Sequence, residues 1–397
     1  MTGMRCPSAL LTPASSRVNT KHSAKALRMR ILQIVNCQSI KPSVSITKGR
    51  DCLQIGQNCF FGAVVVIFTM AVYYTLGVLG GKRNFDATIS GAVYMTRVKG
   101  IFNILATPFD SDYAVDYASL RRLVRFQLGL GAQGLTILGV MGEAAKLSVD
   151  ERRAVMNCVI DEVAGAVPIV VGTSHAQLGT CIALSQAAFA AGADGVMIAP
   201  PRLEDKSAPA ILGLYERIAE QVAGEIVVQA FPPVNDVIMS PGLLAQIARR
   251  IPQARTLKLE DPPLMQKITA IREQTDLFAI FGGLGGMFLL EELNRGAAGT
   301  MTGFAFTEIL VAVHEAFIAG EREKAAAIFD TYAPLIRYEN QPGINLAIRK
   351  ALLQCRGAIA NATPRPPFAA IDAGTQAEID WLLQRVGVDN PREKLPL

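Results

Sequence analysis

Short apolar runs alternate with longer amphipathic runs from Gly100 onward, and this alternation constrains the fold more than any other feature of the chain. Short apolar runs bounded by turn residues predict buried strands, whereas apolar residues spaced three or four apart predict helices. Strands that alternate with helices in this way form parallel sheets with helices packed outside them. Eight strands are predicted, at residues 100–106, 135–138, 168–171, 195–198, 226–229, 256–258, 278–281 and 299–301.

A repeated motif indicates that the sheet closes into a barrel. The sequence Gly-Ala-x-Gly occurs at residues 131–134, 192–195 and 296–299, each time between a predicted helix and the strand that follows it. The first glycine of each copy suits the left-handed residue that ends a helix. We therefore predict a (β/α)8 TIM barrel over residues 95–306. Beyond it the strand pattern stops, and helices at 308–319, 322–338, 343–356 and 376–386 predict a C-terminal helical region over residues 307–397.

Residues 1–94 precede the predicted barrel and differ from it in composition. Residues 1–59 carry nine Lys or Arg and one acidic residue, and residues 60–81 form an uncharged run of 22 residues, long enough to span a bilayer as a helix. Three interpretations stay open: a start assigned too early, with Met95 as the true first residue, a genuine membrane anchor, or a cleaved targeting sequence. We expect a basic, disordered extension and a cytoplasmic catalytic domain, with a single-pass membrane anchor through residues 60–81 if the extension is genuine.

Charge and cysteine content exclude several classes of protein. The basic tail accounts for more than the whole net charge of +5, so the remaining chain has no basic surplus of the kind that nucleic-acid binding needs. The seven cysteines have neither metal-site nor disulfide spacing. We therefore expect no metal, no cofactor and no nucleic-acid partner.

Lys258 closes the apolar run 254–258 and so lies at the carboxyl end of the sixth predicted strand. Barrels of this kind carry their chemistry at that end of the strands. A lysine in a strand is costly unless it has a partner or a task, and an amine removed from water there can condense with a ketone to form a Schiff base. The sequence therefore predicts Lys258 as a nucleophile, against the alternative of a strand-end lysine that reaches solvent.

Two further residues are candidates for proton transfer. Glu260 lies two positions past Lys258, and the alternation of side chains along a strand puts both on the inward face if the strand continues. Its carboxylate is either a general base or the partner in a buried ion pair. His175 is the histidine at a predicted active-site loop, and imidazole titrates near neutral pH. The alternative for His175 is an ordinary exposed loop residue.

Several landmarks occur together in a recognisable order. They are the opening GIFNILATPF at 100–109, a GxxGE turn at 139–143 with LSxxER at 147–152, and the strand-borne Lys258. Over about residues 98 to 355 they resemble the dihydrodipicolinate synthase and N-acetylneuraminate lyase family of Schiff-base aldolases. The resemblance implies a lyase that forms an imine through Lys258 with a pyruvate-like 2-oxo acid, and a homo-oligomer, either tetramer or dimer.

The chain departs from the family pattern at several polar positions. Val140 and Met141 replace the two hydroxyl residues of the turn that grips the substrate carboxylate, and Gln229 replaces the tyrosine acid/base. The arginine for a second substrate falls at Val234, and the tyrosine lent by a neighbouring subunit falls near Arg202. An amide can orient a group but does not exchange protons near neutral pH. Gln229 is therefore expected to orient the reacting groups.

The remaining site predictions concern substrate binding. The backbone N–H groups of the turn are expected to hold the carboxylate. The glycine run 282–286 lacks the Lys-Ser/Thr ending of a phosphate-binding loop, so it is expected to let a 2-oxo acid approach closely, with a packing turn as the alternative. The predicted substrate-binding residues are Thr107, Val140, Met141, Gly142, Thr173, Gly283 and Gly285.

The leading functional hypothesis is a class I lyase in which Lys258 forms a Schiff base with a 2-oxo acid for aldol cleavage or condensation. Two other enzymatic activities stay open, dihydrodipicolinate synthesis and a hydro-lyase acting on a sugar-acid-like 2-oxo acid. The alternative from another class is a catalytically silent sensor of 2-oxo acids.

Overall fold

The barrel predicted from the alternating pattern is present. A computed structural model describes residues 98–397, and within them eight parallel strands close into a barrel in sequence order, with β1 hydrogen-bonded to both β2 and β8. The (β/α)8 fold is therefore confirmed. The strands are β1 Gly100–Ile104, β2 Gly134–Ile137, β3 Ile169–Gly172, β4 Gly195–Ile198, β5 Glu225–Ala230, β6 Thr256–Leu259, β7 Ala279–Gly282 and β8 Gly299–Thr302.

Helices connect the strands and continue beyond the last one. A short helix directly after β5 was not predicted; it begins at Pro232, whose fixed φ suits the first turn of a helix. The helices are α1 Tyr117–Leu130, α2 Val149–Val163, α3 Leu178–Ala191, α4 Ala208–Ala219, α5 Pro232–Asn235, α6 Pro241–Arg250, α7 Leu264–Arg272, α8 Leu289–Asn294, α9 Thr307–Ile318, α10 Arg322–Glu339, α11 Asn345–Cys355 and α12 Ala373–Arg385.

Local sequence signals set the ends of several helices. The Ser148 hydroxyl accepts from the backbone N–H of Glu151 while the Glu151 carboxylate accepts from the N–H of Ser148, which forms the capping box at the start of α2. The first glycines of the repeated motif, Gly131, Gly192 and Gly296, have φ values of 92°, 105° and 82°. Each glycine therefore lies at the end of its helix in the left-handed region that glycine tolerates, and the next strand begins three residues later.

The barrel separates two apolar cores. The inner core contains Phe102 of β1, Phe281 of β7 and Met301 of β8. The rings of Phe102 and Phe281 meet at 5.7 Å although β8 lies between their strands, so they touch across the barrel interior. The larger core fills the space between the strands and the surrounding helices.

The C-terminal helices are tied to the loops that follow the strands. The Lys350 ammonium on α11 is fully buried and lies 2.5 Å from the Glu143 carboxylate, in the turn after β2. It also lies 4.4 Å from the centre of the Phe109 ring, which follows β1. On the opposite side, the Asn340 amide donates to the carbonyl oxygen of Leu284, which follows β7. The helical region therefore holds the mouth of the barrel from two sides.

Two predictions about the N-terminal region stay untested. Residues 1–97, which include the apolar run 60–81, lie outside the described part of the chain. Within residues 98–397, no helix is both long and apolar enough to cross a bilayer. The same residues contain no grouping of His, Cys, Asp and Glu that would hold a metal ion.

The buried pair of Lys350 and Glu143 gives a stability prediction. Replacing Lys350 with Met leaves a buried carboxylate without its closest cation, so the free energy of unfolding should fall by about 3 kcal/mol in urea titrations. The matched control is Lys324→Met, because Lys324 and Glu321 are 60% and 53% exposed and such pairs contribute less than about 1 kcal/mol. Equal stability of the two variants would show that the pair does not hold the helical region.

Candidate active site

Lys258 lies at the mouth of the barrel and points inward. Its register partners are Gln229 on β5 and Phe281 on β7, and the Phe281 ring belongs to the inner core. The side chain is buried, with 3% of the residue exposed. A lysine in this position has the water-poor surroundings that imine chemistry requires.

Glu260 and Gln229 form a hydrogen-bonded network with Lys258. The Lys258 Nζ lies 2.8 Å from Glu260 Oε2, and Gln229 Nε2 donates to the same oxygen at 2.8 Å. The N–H of Glu260 donates to the carbonyl oxygen of Ala230, so pairing between β5 and β6 continues past the end of the strand. This extension keeps Lys258 and Glu260 on one face, as the alternation predicts. Both donors therefore meet the same oxygen of the Glu260 carboxylate.

Gly283 provides the space that Glu260 occupies. A Cβ at residue 283 would lie 2.5 Å from both Cγ and Oε1 of Glu260. Any larger residue would therefore push the carboxylate away from Lys258. This packing explains one glycine of the run after β7 without direct contact between that glycine and a substrate.

The turn after β2 retains part of the predicted carboxylate site. Residues Val140–Gly142 form one turn of 3-10 helix, and Thr107 closes it by donating its hydroxyl proton to the carbonyl oxygen of Gly142 at 2.6 Å. The first N–H groups of such a turn have no partner within it, which leaves those of Val140 and Met141 for an anion. The N–H of Gly142 donates to the carbonyl oxygen of Gly139, so it already has a partner within the turn.

Three predicted residues are not directed at the network. The Thr173 hydroxyl is paired with Ser185 of α3 at 2.8 Å, on the outer side of the barrel. The N–H of Gly285 donates to the Thr302 hydroxyl, and a Cβ there would meet Asn340, so packing explains this glycine. His175 lies on a half-exposed loop, and its Nδ1 accepts from the backbone N–H of Gln177. The structure therefore gives these residues other partners.

A buried carboxyl group behind β7 escaped the sequence analysis. Glu292 on α8 is 1% exposed, and its Oε2 has no hydrogen-bond partner among the described residues. Its carboxyl group fills the space that a side chain at Gly282 would take, on the outer face of the strand. Burial raises the pKa of Glu292 to about 8, and the negative charge of Glu260 contributes in the same direction. Nothing in the sequence indicates that Glu292 is buried, because two adjacent acidic residues in a short helix normally face solvent.

Comparison with known proteins agrees with the geometry. Residues 97–386 match the model of the dihydrodipicolinate synthetase family. An L-2-keto-3-deoxyarabonate dehydratase from Azospirillum brasilense is 35% identical over 301 residues, which cover 73% of this chain and 95% of the relative. A 4-hydroxy-tetrahydrodipicolinate synthase from Mesorhizobium japonicum is 26% identical over 302 residues, which cover 74% of this chain and all of the relative.

A solved structure extends this similarity to three dimensions. The dihydrodipicolinate synthase from Rhodopseudomonas palustris is 36% identical and superposes with a TM-score of 0.70. The alignment covers 73% of this chain and 98% of that structure. The similarity therefore includes the barrel and the C-terminal helices.

Gly283→Ala tests whether the position of Glu260 matters. The added methyl group displaces the carboxylate, and a misplacement of about 1 Å at a reacting group costs roughly 100-fold in rate. We expect kcat to fall by that order with little change in the melting temperature. Gly129→Ala in α1 is the control, because nothing lies within 4 Å of its Cβ position. Unchanged turnover in the Gly283 variant would exclude Glu260 from the reaction.

Glu292→Gln tests the buried carboxyl group through the pH dependence of stability. The folded protein keeps a proton on Glu292 up to a pKa of about 8, whereas the unfolded chain releases it near pH 4.3. The stabilisation from this group is therefore complete at low pH and is lost as the pH rises toward 8. In unfolding titrations from pH 5 to pH 9, the glutamine variant should gain stability relative to the parent protein as the pH rises. Glu291→Gln, at an exposed position, should show no such trend.

Proposed function

The chain belongs to the dihydrodipicolinate synthetase family, whose members are class I lyases, and we propose that it removes water from a 2-keto-3-deoxy sugar acid through an imine on Lys258. The observation that carries the proposal is the Glu260 carboxylate, 2.8 Å from the Lys258 ammonium at a position shielded from water. Gln229 supports it, because an amide replaces the expected tyrosine and leaves Glu260 as the proton carrier of the network.

Imine formation is the first step of the proposed reaction. Glu260 takes a proton from the Lys258 ammonium, and the free amine adds to C2 of the 2-oxo acid. Glu260 then returns the proton to the hydroxyl group formed at C2, which leaves as water while the C=N bond forms. The carboxylate of the substrate lies on the N–H groups of Val140 and Met141.

Elimination of the C4 hydroxyl is the second step. Glu260 removes a proton from C3, and the electron pair forms an enamine with the iminium as acceptor. The enamine electrons then expel the hydroxyl at C4, which receives the proton from Glu260 and departs as water. Hydrolysis of the conjugated iminium frees Lys258, so that the net change is the loss of one water molecule.

Aldol cleavage is the second candidate, because it uses the same imine and enamine. It requires a base for the C4 hydroxyl, and the proposal assigns that role to Glu260 as well. The relative of 35% identity favours dehydration, since its name describes a dehydratase. Product analysis separates the two reactions: dehydration keeps the carbon chain intact, whereas cleavage releases pyruvate and an aldehyde.

Borohydride trapping tests the proposal. The protein incubated with pyruvate and then reduced should carry a covalent adduct on the peptide that contains Lys258. Lys258→Arg should abolish the adduct, because a guanidinium does not form the imine. Glu260→Gln should form the pyruvate adduct more slowly than the parent protein, because Glu260 also carries the protons of imine formation, and should dehydrate L-2-keto-3-deoxyarabonate roughly 100- to 10,000-fold more slowly, which is the usual contribution of a general acid/base.

Lys267→Arg is the matched control for trapping. The Lys267 side chain is also shielded from water, and its ammonium pairs with Asp261, which lies three positions past Lys258 in the sequence. Lys267 is not part of the hydrogen-bonded network of Lys258, Glu260 and Gln229. It should give the adduct at the level of the parent protein. A folded parent protein that forms no adduct would contradict the proposal and favour the silent sensor.

Two further expectations are part of the proposal and await their own measurements. We expect a homo-oligomer, either tetramer or dimer, which light scattering would determine. The membrane anchor through residues 60–81 and the cytoplasmic placement of the catalytic domain concern a region outside the described residues. Fractionation of cells that express the full chain, with and without residues 1–94, would test both.

A further inference from the structure

Arg349 on α11 has a buried nitrogen without a partner. Its Nε donates to Glu339 Oε1 at 2.5 Å, and Glu339 Oε2 accepts from the N–H of Ala305 at 3.0 Å. The residue is 2% exposed, yet Nη1 has no hydrogen-bond acceptor within residues 98–397. A charged donor left unpaired in such a place costs stability unless a ligand satisfies it. The hydrogen bond from Nε to Glu339 thus fixes the orientation of the guanidinium, and Nη1 points away from Glu339.

Gly303 shows where Nη1 points. A Cβ built at residue 303 would collide with the Arg349 guanidinium, and Nη1 is the atom it would meet first. Residue 303 lies two positions past Met301, whose side chain belongs to the inner core. Residue 303 directly follows β8, and continuing the alternation of that strand by one residue aims a side chain at 303 into the mouth of the barrel. Nη1 therefore occupies the space of an inward side chain at the active-site end.

Arg349 reaches the level of Glu260. The strands of a TIM barrel tilt, with a shear of about eight over eight strands, so residues at the same height along the barrel axis are offset from the hydrogen-bonded register by about one residue per strand. The register pairs Lys258 with Phe281, and Phe281 with Gly299. Because β8 is the second strand after β6, the residue of β8 at the height of Lys258 is two positions past Gly299, which is Met301. Two positions further along each strand, Glu260 and residue 303 share the layer above.

We propose that Arg349 Nη1 binds a substrate oxygen beyond C3 and selects 2-oxo acids that carry hydroxyl or anionic groups there. This inference rests on the imine chemistry proposed for Lys258. The carboxylate end of the substrate lies toward the turn after β2, while C3 must come within reach of Glu260. The Glu260 carboxylate lies against Gly283, which directly follows β7, and the proposal places the rest of the substrate along the β7 and β8 side of the mouth. Arg349 meets it there.

Two variants test the role of Arg349 separately from the fold. Arg349→Lys keeps a cation for Glu339 but has no second nitrogen to present at residue 303. Gly303→Ala keeps both charged side chains and displaces the Arg349 guanidinium, Nη1 first, by steric contact, and its φ is not in the left-handed region. The control is Arg356→Lys, because the Arg356 guanidinium is equally buried but already bonded to Glu308 and backbone carbonyls.

The comparison of two ligands gives the decisive result. L-2-keto-3-deoxyarabonate has hydroxyls at C4 and C5. For this substrate both test variants should raise KM roughly 10- to 100-fold, because that factor corresponds to the loss of one hydrogen bond to a charged group. The concentration of pyruvate that gives half-maximal borohydride trapping should change less than twofold, because pyruvate ends at C3. Arg356→Lys should shift neither value.

Other outcomes would overturn the inference. Equal losses for both ligands would place Arg349 at the substrate carboxylate, and unchanged values in the folded Gly303→Ala protein would remove it from the site. In both cases the parent protein still forms the pyruvate adduct. Failure of the parent protein to form any adduct would instead refute the proposed imine chemistry.

Discussion

The ion pair between Lys258 and Glu260 is the interaction on which the site depends. Two opposite charges taken out of water are stable only when geometry and hydrogen bonds compensate their lost hydration. Here the compensation comes from adjacent strands: Gln229 donates to the carboxylate from β5, and Gly283 leaves room for it from β7. The closed parallel barrel holds these elements in register, so the chemistry follows from the strand pairing itself.

The C-terminal helices complete the site from above the barrel. They fix the turn after β2 through the Glu143 carboxylate, which pairs with Lys350. They also bring Arg349 to the end of β8, where Glu339 orients it. The helical region therefore contacts the barrel at the ends of two strands, and the proposed role of Arg349 depends on the second of these contacts.

The sequence predicted the parts of the site that depend on strand periodicity. Alternation predicts that Lys258 and Glu260 share one face, as the structure has them. Gln229 followed from the family resemblance, and it is the register partner of Lys258 on the adjacent strand. The Thr173 hydroxyl pairs with the Ser185 hydroxyl on another element, because a hydroxyl group turns toward the partner that is nearest. Periodicity carries no information about such a choice.

Long-range contacts set the other limit of prediction. The Glu143 carboxylate, in the turn after β2, pairs with a lysine from the last third of the chain, and no local pattern indicates this contact. Arg349 and Glu292 lie in helical segments where a charged residue normally faces solvent. Only the folded chain shows that they are buried and that glycines on β8 and β7 make room for them.

One consequence follows from the adjacency of Arg349 and Lys350 on α11. Successive helical residues point about 100° apart, so this one helix serves the end of β8 with one residue and the turn after β2 with the next. The two contacts are therefore coupled through the phase of the helix. Insertion of a single residue before this pair would rotate both cations away from the two strand ends together, whereas residues on the outer surface of the helix are free to vary.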